Sequence, residues 1–245
     1  MDNRKWITEN ILEYFRIMIT KKYKKTIYSN KKKSKKDSKK DSKSSRSHSR
    51  TSSKLYLIPL SNINTNQIKQ LARITNDKSV MQHIGTGKLW SVQDIIDFKK
   101  DEINEIKKEL SKRDYISYFL LKNNIVVGFI SGRKNRKLLP KNIGNYDLLL
   151  RMFISSNEAG KGFGKIIINK FIETYKKLIE RNRLKSMKGM KGIKDLKLDK
   201  NIILYSDISP DNIPSKKIHE FNMFEFKEVV KYPNGHFYER WILKI

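Results

Sequence analysis

The chain has 245 residues, 38% of them hydrophobic, and a formal net charge of +29. It contains no cysteine, which excludes disulfides, thiolate nucleophiles and thiolate metal sites. The four histidines lack the spacing of metal ligands, so neither a zinc enzyme nor any other metal site is expected; they are His48, His83, His219 and His236.

The first 54 residues differ in composition from the rest and carry +13 of the net charge. Residues 1–29 place apolar side chains at helical spacing, which predicts an amphipathic helix. Residues 30–54 contain no apolar side chain and therefore cannot offset the entropy of ordering, so we expect a disordered basic linker. This region contains neither a cleavable signal pattern nor an 18-residue apolar span.

Regular elements begin at Leu55. The segment "KLYLIPL" predicts a strand, and residues 65–74 predict a helix. Ser91 followed by Asp94 has the pattern of a capping box, which predicts that a helix starts there and continues through Leu110.

The middle of the chain predicts three strands and a helix. The segment "YISYFLLKNNIVVGFISG" reads as a hairpin that turns at Asn123 and Asn124, since asparagine tolerates the positive φ of a tight turn. The third strand, "YDLLLRMFI", is followed by a glycine-rich loop and an apolar helical pattern. A lysine-rich stretch at about 181–200 is predicted to be an insertion.

After the insertion we expect a strand "NIILYSDI", a helix opening near Asp211 and Asn212, and two strands joined by a Pro-Asn-Gly turn. The order β-α-α-β-β-β-loop-α-β-α-β-β indicates a mixed α/β (α+β) fold with a central, mostly antiparallel sheet flanked by helices.

The loop "SSNEAGKGFGKIII" places Gly160, Gly162 and Gly164 at alternate positions directly before a helix. Bare backbone at a helix start is suited to binding an anion such as phosphate. The loop does not have the spacing of a P-loop, and it is one residue shorter than the dinucleotide-binding fingerprint.

The stretch "MFISSNEAGKGFGKIIINKFI" resembles motif A of the GNAT N-acetyltransferase superfamily. Gly162 and Gly164 match its two small positions, whereas Ala159 replaces its Arg/Gln. The segments "VMQHIGTGKLWSVQDIIDF" and "SPDNIPSKKIHEFNMFEFKEV" are similar to further segments of the branch that acetylates ribosomal-protein N-termini and aminoglycosides, although Met223 replaces a glycine. The resemblance covers most of residues 55–245, and it implies a GNAT-like domain there with a splayed strand pair at the cofactor site.

The resemblance implies acetyl-CoA as co-substrate, with its pyrophosphate on the glycine loop and its pantetheine arm along the preceding strand. Lys161 and Lys165 could add positive charge at the pyrophosphate, or they could equally be solvated surface residues. The implied cofactor-binding residues are Met152, Phe153, Ile154, Ala159, Gly160, Lys161, Gly162, Phe163, Gly164, Lys165, Asn212 and Ser215.

The implied reaction is direct attack of an amine on the thioester. His219 stands where many family members have a tyrosine that acts as general acid, and a partly exposed helix histidine without a catalytic role is the alternative. Asp147 and Asp207 are candidate general bases, with water as the alternative. His83 and Trp90 are expected on the acceptor side, or else in loop packing.

A second class of function stays open, because the domain could be a non-catalytic scaffold for an interaction or nucleic-acid-binding protein with the basic tail as a weak contact to nucleic acid or an acidic partner. The acceptor is a primary amine of a protein N-terminus, a lysine or a small molecule, and the sequence does not distinguish among them. We expect an intracellular, cytoplasmic protein, with the nucleus as the alternative because of the basic tail.

Overall fold

The computed structural model describes residues 54–84, 87–134, 147–189 and 202–245, without the side chains of 185–189. The predicted amphipathic helix and the predicted linker up to residue 53 lie outside the described residues, as does the predicted insertion beyond residue 189. The seven strands are β1 (Leu55–Pro59), β2 (Tyr115–Lys122), β3 (Ile125–Arg133), β4 (Leu148–Ile154), β5 (Ile203–Ile208), β6 (Glu225–Lys231) and β7 (Phe237–Lys244).

Five α-helices accompany these strands in the described residues: α1 (Thr65–Thr75), α2 (Lys78–Met81), α3 (Val92–Lys107), α4 (Phe163–Gly189) and α5 (Ile213–Phe221). The short helix α2 was not expected from the sequence. Ser91 and Asp94 form the predicted capping box of α3. This helix ends at Lys107, and Leu110 begins a separate 3-10 turn, so the predicted helix was three residues too long.

The strands form one sheet in the order β1-β2-β3-β4-β5-β7-β6, in which β4 and β5 are the single parallel pair among the described strands. Asn123 and Asn124 close the β2–β3 hairpin with φ values of 49° and 68°, as predicted. The mixed, mostly antiparallel architecture is therefore confirmed. Strand β7 pairs with both β5 and β6. Strands β6 and β7 therefore form a hairpin, and this hairpin joins the rest of the sheet where β7 pairs with β5.

Strands β4 and β5 separate soon after they pair. Their parallel pairing is confined to Leu148 with Leu204 and Leu149 with Tyr205, although β4 continues to Ile154 and β5 to Ile208. A gap therefore opens between the carboxyl ends of two central strands. Open α/β sheets commonly bind ligands where neighbouring strands diverge in this way.

The sheet has a hydrophobic core on each face. On one face α4 packs its apolar side chains, among them Ile167, Ile168 and Phe171, against the sheet. On the other face α1 and α3 cover Phe129 and Phe153. The two cores hold β3 and β4 between helices, so the gap beside β4 has rigid walls.

Candidate functional site

The glycine loop gives the site its first feature. Gly160 and Gly162 have φ values of +75° and +83°, a region that side chains other than glycine rarely adopt. A Cβ atom built on either residue would meet no atom within 4 Å, so open space lies over the backbone. Both glycines are therefore explained by the turn they make, and the space above them can admit a ligand.

The same loop presents backbone donors. Helix α4 begins at Phe163, so its first N–H groups have no partner within the helix. Within the described part of the chain, no acceptor bonds the backbone N–H groups of residues 160–164. Together with the positive end of the helix dipole, these donors form a site suited to an anion.

Gly164 has a different role from the other two glycines. A Cβ atom there would come within 2.6 Å of Ile218 Cδ1, on helix α5. The missing side chain thus lets α5 approach the first turn of α4. This contact places the start of α5 beside the glycine loop.

The loop borders a cavity of about 600 Å³ that runs from α4 to the end of β4 and the start of α5. Eleven of the twelve residues expected at a cofactor line this cavity; they are Met152, Phe153, Ile154, Ala159, Gly160, Gly162, Phe163, Gly164, Lys165, Asn212 and Ser215.

Lys161 is the one expected cofactor residue that does not line this cavity. Its Nζ donates to the carbonyl of Asn157 at 2.8 Å and lies 3.3 Å from the Glu158 carboxylate. Lys165 does line the cavity, and its Nζ lies 3.8 Å from the centroid of the Phe221 ring. The lysine charge nearest the loop is therefore partly neutralised by Glu158, which sequence reasoning did not single out.

The backbone of β4 supplies the second feature. Ser155 N donates to Val127 O at 2.9 Å, which sets the phase of hydrogen bonding between β3 and β4. Because hydrogen-bonded positions alternate along an antiparallel pair, Phe153 directs its backbone groups toward β3, whereas Met152 and Ile154 direct theirs into the gap. Two of the three strand residues expected to offer backbone groups to a cofactor therefore direct those groups into the gap.

A narrower cavity of about 90 Å³ continues into the gap between β4 and β5. Asn212 and Ser215 line both this cavity and the larger one. The side chain of Asn212 caps α5 by accepting a hydrogen bond from Ser215 N at 3.1 Å. The start of α5 thus forms the wall where the two cavities join.

His219 lies on the inner wall of this gap, buried against the ring of Phe224. Its Nδ1 donates to the carbonyl of Ser215 at 2.8 Å, so its Nε2 accepts the proton of Ser206 Oγ at 2.8 Å. Burial lowers the pKa of His219 to about 4, and the ring is therefore neutral at neutral pH. In this state neither ring nitrogen presents a proton to the cavity, so the geometry does not support the expected role of direct proton donor.

Asp207 also lines the gap, where it is fully engaged by neighbouring groups. Arg240 binds it through Nε and Nη2 at 2.8 Å each, and Tyr232 donates its hydroxyl to the same carboxylate at 2.7 Å. The side chains of Asp207 and Arg240 are 3% and 5% exposed. Three hydrogen-bond donors thus occupy the carboxylate, which anchors β7 and Tyr232 beside the gap.

Asp147 lies at the opposite end of β4 from the glycine loop. Its buried carboxylate accepts a hydrogen bond from Ile203 N at 2.7 Å and lines none of the three cavities described here. The structure therefore does not bring Asp147 to the other site residues. Its contact instead fixes the start of β5 beside β4.

A third cavity of about 290 Å³ lies on the other face of β4. Trp90 lines it and packs edge-on against Phe98, Phe129 and Phe153. His83 does not line this cavity; it borders the other two.

Sequence reasoning missed several side chains that converge on the gap and its neighbouring cavity; they are Arg133, Arg151, Ser206, Tyr232 and Tyr238. A signal for one of them was present, since Arg151 is the single charged residue within the apolar strand β4. Of the others, Ser206 and Tyr238 lie on strands whose pairing partners could not be read from the chain order, and Tyr232 directly follows such a strand.

Within the described ranges, no group of three or more histidine, aspartate or glutamate side chains could hold a metal ion. The helices of the described part of the chain include none with a stretch long and apolar enough to span a bilayer.

Residues 85–188 match the family model described as "Acetyltransferase (GNAT) family". No curated protein sequence matches the chain. RimJ from Mycobacterium smegmatis in complex with CoA-disulfide is a structural neighbour, with 10% identity and a TM-score of 0.56, covering 78% of this chain and 81% of RimJ. RimL, a ribosomal-protein alpha-N acetyltransferase in complex with coenzyme A, has 14% identity and a TM-score of 0.56, covering 80% of this chain and 96% of RimL.

The aminoglycoside acetyltransferase AAC(6')-Ib in complex with coenzyme A and kanamycin is a further neighbour, with 12% identity and a TM-score of 0.53, covering 78% of this chain and 95% of that protein. At these identities the likeness concerns the fold. The chain thus shares the fold of these acetyltransferases, and its residues 85–188, which include the glycine loop, match the model of the GNAT acetyltransferase family.

Proposed function

We propose that this protein transfers an acetyl group from acetyl-CoA to a primary amine by direct attack of the amine on the thioester. The observation that carries the proposal is the glycine loop, whose backbone N–H groups at residues 160–164 have no acceptor among the described residues and which borders a cavity of about 600 Å³. Unpaired N–H groups at the start of a helix are suited to binding a pyrophosphate.

The residues that would hold the co-substrate form a continuous path. The N–H groups of the loop would bind the pyrophosphate, and the open space over Gly160 and Gly162 admits it because neither residue has a side chain. The backbone groups of Met152 and Ile154 would bind the pantetheine amides along the gap, as a neighbouring strand would. The CoA-bound complexes of neighbours with this fold support this arrangement.

Acetyl-CoA supplies an activated acetyl thioester, and the transfer forms a C–N bond as the C–S bond breaks. The amine gives up one proton and the departing sulfur gains one. Because Asp207 is bound to Arg240 and Tyr232, it is not available as a base. Ser206 Oγ lines the gap, donates its own proton to His219 and thus offers its lone pairs to an amine N–H.

We therefore assign Ser206 as the residue that orients the amine by accepting a hydrogen bond from its N–H, and His219 as the residue that positions Ser206. Water takes the amine proton and supplies a proton to the departing sulfur. His219 holds the hydroxyl in one orientation because its own Nδ1 is fixed by the Ser215 carbonyl. This assignment replaces the expected role of His219 as the general acid.

The experiment that tests the function has two parts. Calorimetric titration should detect acetyl-CoA binding to the full chain, and a thiol-release assay should detect coenzyme A when amine acceptors are added. Binding without release from any amine would favour the non-catalytic scaffold. If acetyl-CoA does not bind, the proposal is overturned.

A further inference from the structure

The cavity of about 290 Å³ that Trp90 lines, which is the acceptor cavity of the proposed transfer, contains two arginines on the adjacent strands β3 and β4. In the β3–β4 register Ser131 lies opposite Arg151, and Arg133 lies opposite Leu149. Arg133 and Arg151 are thus diagonal neighbours, and such residues are typically about 7–8 Å apart in an antiparallel pair, within reach of long side chains. Both line the cavity of about 290 Å³, so two guanidinium groups can reach one small anion there.

Neither arginine is neutralised by the described protein. Across the described ranges, no carboxylate lies within 4.0 Å of Arg133 or Arg151, and the ion pairs of the neighbouring elements involve other cations. Asp94 is the only carboxylate among the described residues that line this cavity. It is already bound by Lys88 at 3.2 Å and by Ser91, and the lining therefore has an excess of two positive charges.

Arg151 is the more informative of the two arginines because it is only partly exposed. A guanidinium that loses water without gaining a counter-ion is destabilising, so such a position favours a ligand that restores the charge balance. Arg151 also lines the gap between β4 and β5, which places it between the acceptor cavity and the proposed site of transfer.

The rest of the cavity wall is aromatic. Trp90 lies edge-on to Phe129 and Phe153, and the Arg133 guanidinium lies 5.8 Å from the centroid of the Tyr115 ring. Such a wall packs against an apolar or aromatic group, while the two arginines bind charge. The cavity thus combines apolar contact with anion recognition.

We propose that the acceptor is an anionic amine, in which a carboxylate or phosphate lies close to the amine and an apolar group, and that Arg151 and Arg133 bind the anion. This inference rests on the proposed acetyl transfer. Polycationic amines such as kanamycin and spermine are poor acceptors on the same argument, because the cavity repels them and contains no unpaired carboxylate among its described residues.

The test compares acceptors that differ in one group. Tyramine and tyrosine differ by a carboxylate, and ethanolamine and phosphoethanolamine differ by a phosphate, so the two pairs separate the two kinds of anion. Kanamycin and spermine represent polycations. We expect kcat/KM to be at least 10-fold higher for the anionic member of one pair than for its neutral partner, and higher than for either polycation.

Three variants distinguish binding of the acceptor's anion by Arg151 from a general effect of the positive charge of the protein. Arg151→Gln should lower kcat/KM for the preferred anionic acceptor by about 100-fold, as expected for loss of a charge-assisted contact, and change that for its neutral partner by less than 3-fold. Arg151→Lys should recover only part of the loss, since lysine cannot form two parallel hydrogen bonds. Arg181→Gln removes a charge from an exposed position on α4 and should have no effect.

The outcomes are distinguishable from failure of the proposed function. Acetyl-CoA binding is measured first, without an acceptor, and its absence would overturn the acetyl-transfer proposal. If acetyl-CoA binds but a polycation or a neutral amine is the best acceptor, the anionic-amine proposal is wrong while acetyl transfer stands. If acetyl-CoA binds but no anionic probe reacts or gives heat on titration into the coenzyme A complex at millimolar concentration, the anionic-amine proposal is also wrong.

Discussion

His219 Nε2 accepts a hydrogen bond from Ser206 Oγ at 2.8 Å, and this bond joins helix α5 to strand β5 inside the protein. The ring is buried, and burial lowers its pKa to about 4. The unfolded chain has the ordinary value of 6.5 and binds a proton that the folded chain does not. Folding stability should therefore fall as the pH falls from 6.5 to 4.

The first prediction uses this linkage. His219→Gln should abolish the share of the pH dependence that His219 contributes between pH 6.5 and 4, which is on the order of 3 kcal/mol at about 1.4 kcal/mol per pKa unit. Burial raises the pKa of Glu102 to about 7, and this acts with the opposite sign, so stability due to Glu102 falls as the pH rises through the same range.

Urea unfolding at several pH values therefore tests this prediction. The quantity compared is the difference between the free energies of unfolding of the variant and the wild type. His83→Gln is the control, because it removes an exposed imidazole rather than the buried one. Equal slopes for His219→Gln and wild type would mean that the buried neutral ring does not contribute.

A second prediction concerns catalysis by the same pair. If His219 acts by holding Ser206, then Ser206→Ala and His219→Phe should each lower kcat by roughly 10-fold to 100-fold, within the range for loss of a group that orients a reactant. The double variant should be no slower than the worse single variant, since the residues act as one unit. The KM for acetyl-CoA should change little. Multiplicative losses in the double variant would contradict the shared role.

Asp207 separates a structural role from a chemical one. Breaking its buried ion pair with Arg240 leaves a charge without its partner, so Asp207→Asn should destabilise the fold by about 3 kcal/mol. Asp97→Asn removes a carboxylate from the exposed pair with Lys100 and should cost less than about 1 kcal/mol. Thermal melts and kcat measured together distinguish the two roles. Replacement of a general base would lower kcat and leave the melting temperature of the protein unchanged.

Local sequence patterns predicted the elements that local chemistry determines. The asparagine hairpin, the capping box at Ser91 and the glycine loop each follow from residues that lie within a few positions of one another. The resemblance to a known family added which backbone groups are expected to face a cofactor. These parts needed no knowledge of distant contacts.

The remaining site residues depend on contacts between distant segments. Ser206 meets His219 because α5 packs over β5, and Asp207 meets Arg240 because β7 lies beside β5. Asp147 resembled a catalytic carboxylate in the sequence, but strand pairing placed it at the other end of β4 from the loop. Spacing alone could not show that Lys161 lies outside the large cavity, because this depends on the ion pair of its side chain with Glu158.

The fourth prediction concerns the segment outside the described residues. Residues 30–54 contain no apolar side chain, and we therefore expect residues 1–52 to be dispensable for folding and for binding acetyl-CoA. A shortened chain that starts at Ser53 should keep the melting temperature and the calorimetric Kd of the full chain. A clear loss of either property would assign the N-terminal segment to the domain.

The last prediction concerns Gly162, whose φ of +83° strains any other residue regardless of the space above it. Replacement by alanine would therefore confuse backbone strain with loss of the binding site. Asparagine and aspartate have nearly the same shape and both tolerate positive φ better than alanine, but only aspartate carries a charge. Comparison of Gly162→Asn with Gly162→Asp thus isolates the electrostatic contribution.

If the N–H groups at residues 160–164 bind pyrophosphate, the carboxylate of Gly162→Asp repels the ligand. Its Kd for acetyl-CoA should be about 100-fold higher than that of Gly162→Asn, or about 2.8 kcal/mol weaker. The two variants should melt at nearly the same temperature, because the added side chain faces open space in both. Calorimetric titration with coenzyme A at two salt concentrations checks the charge effect, which should shrink at higher salt. Equal affinities of the two folded variants would contradict phosphate binding at this loop.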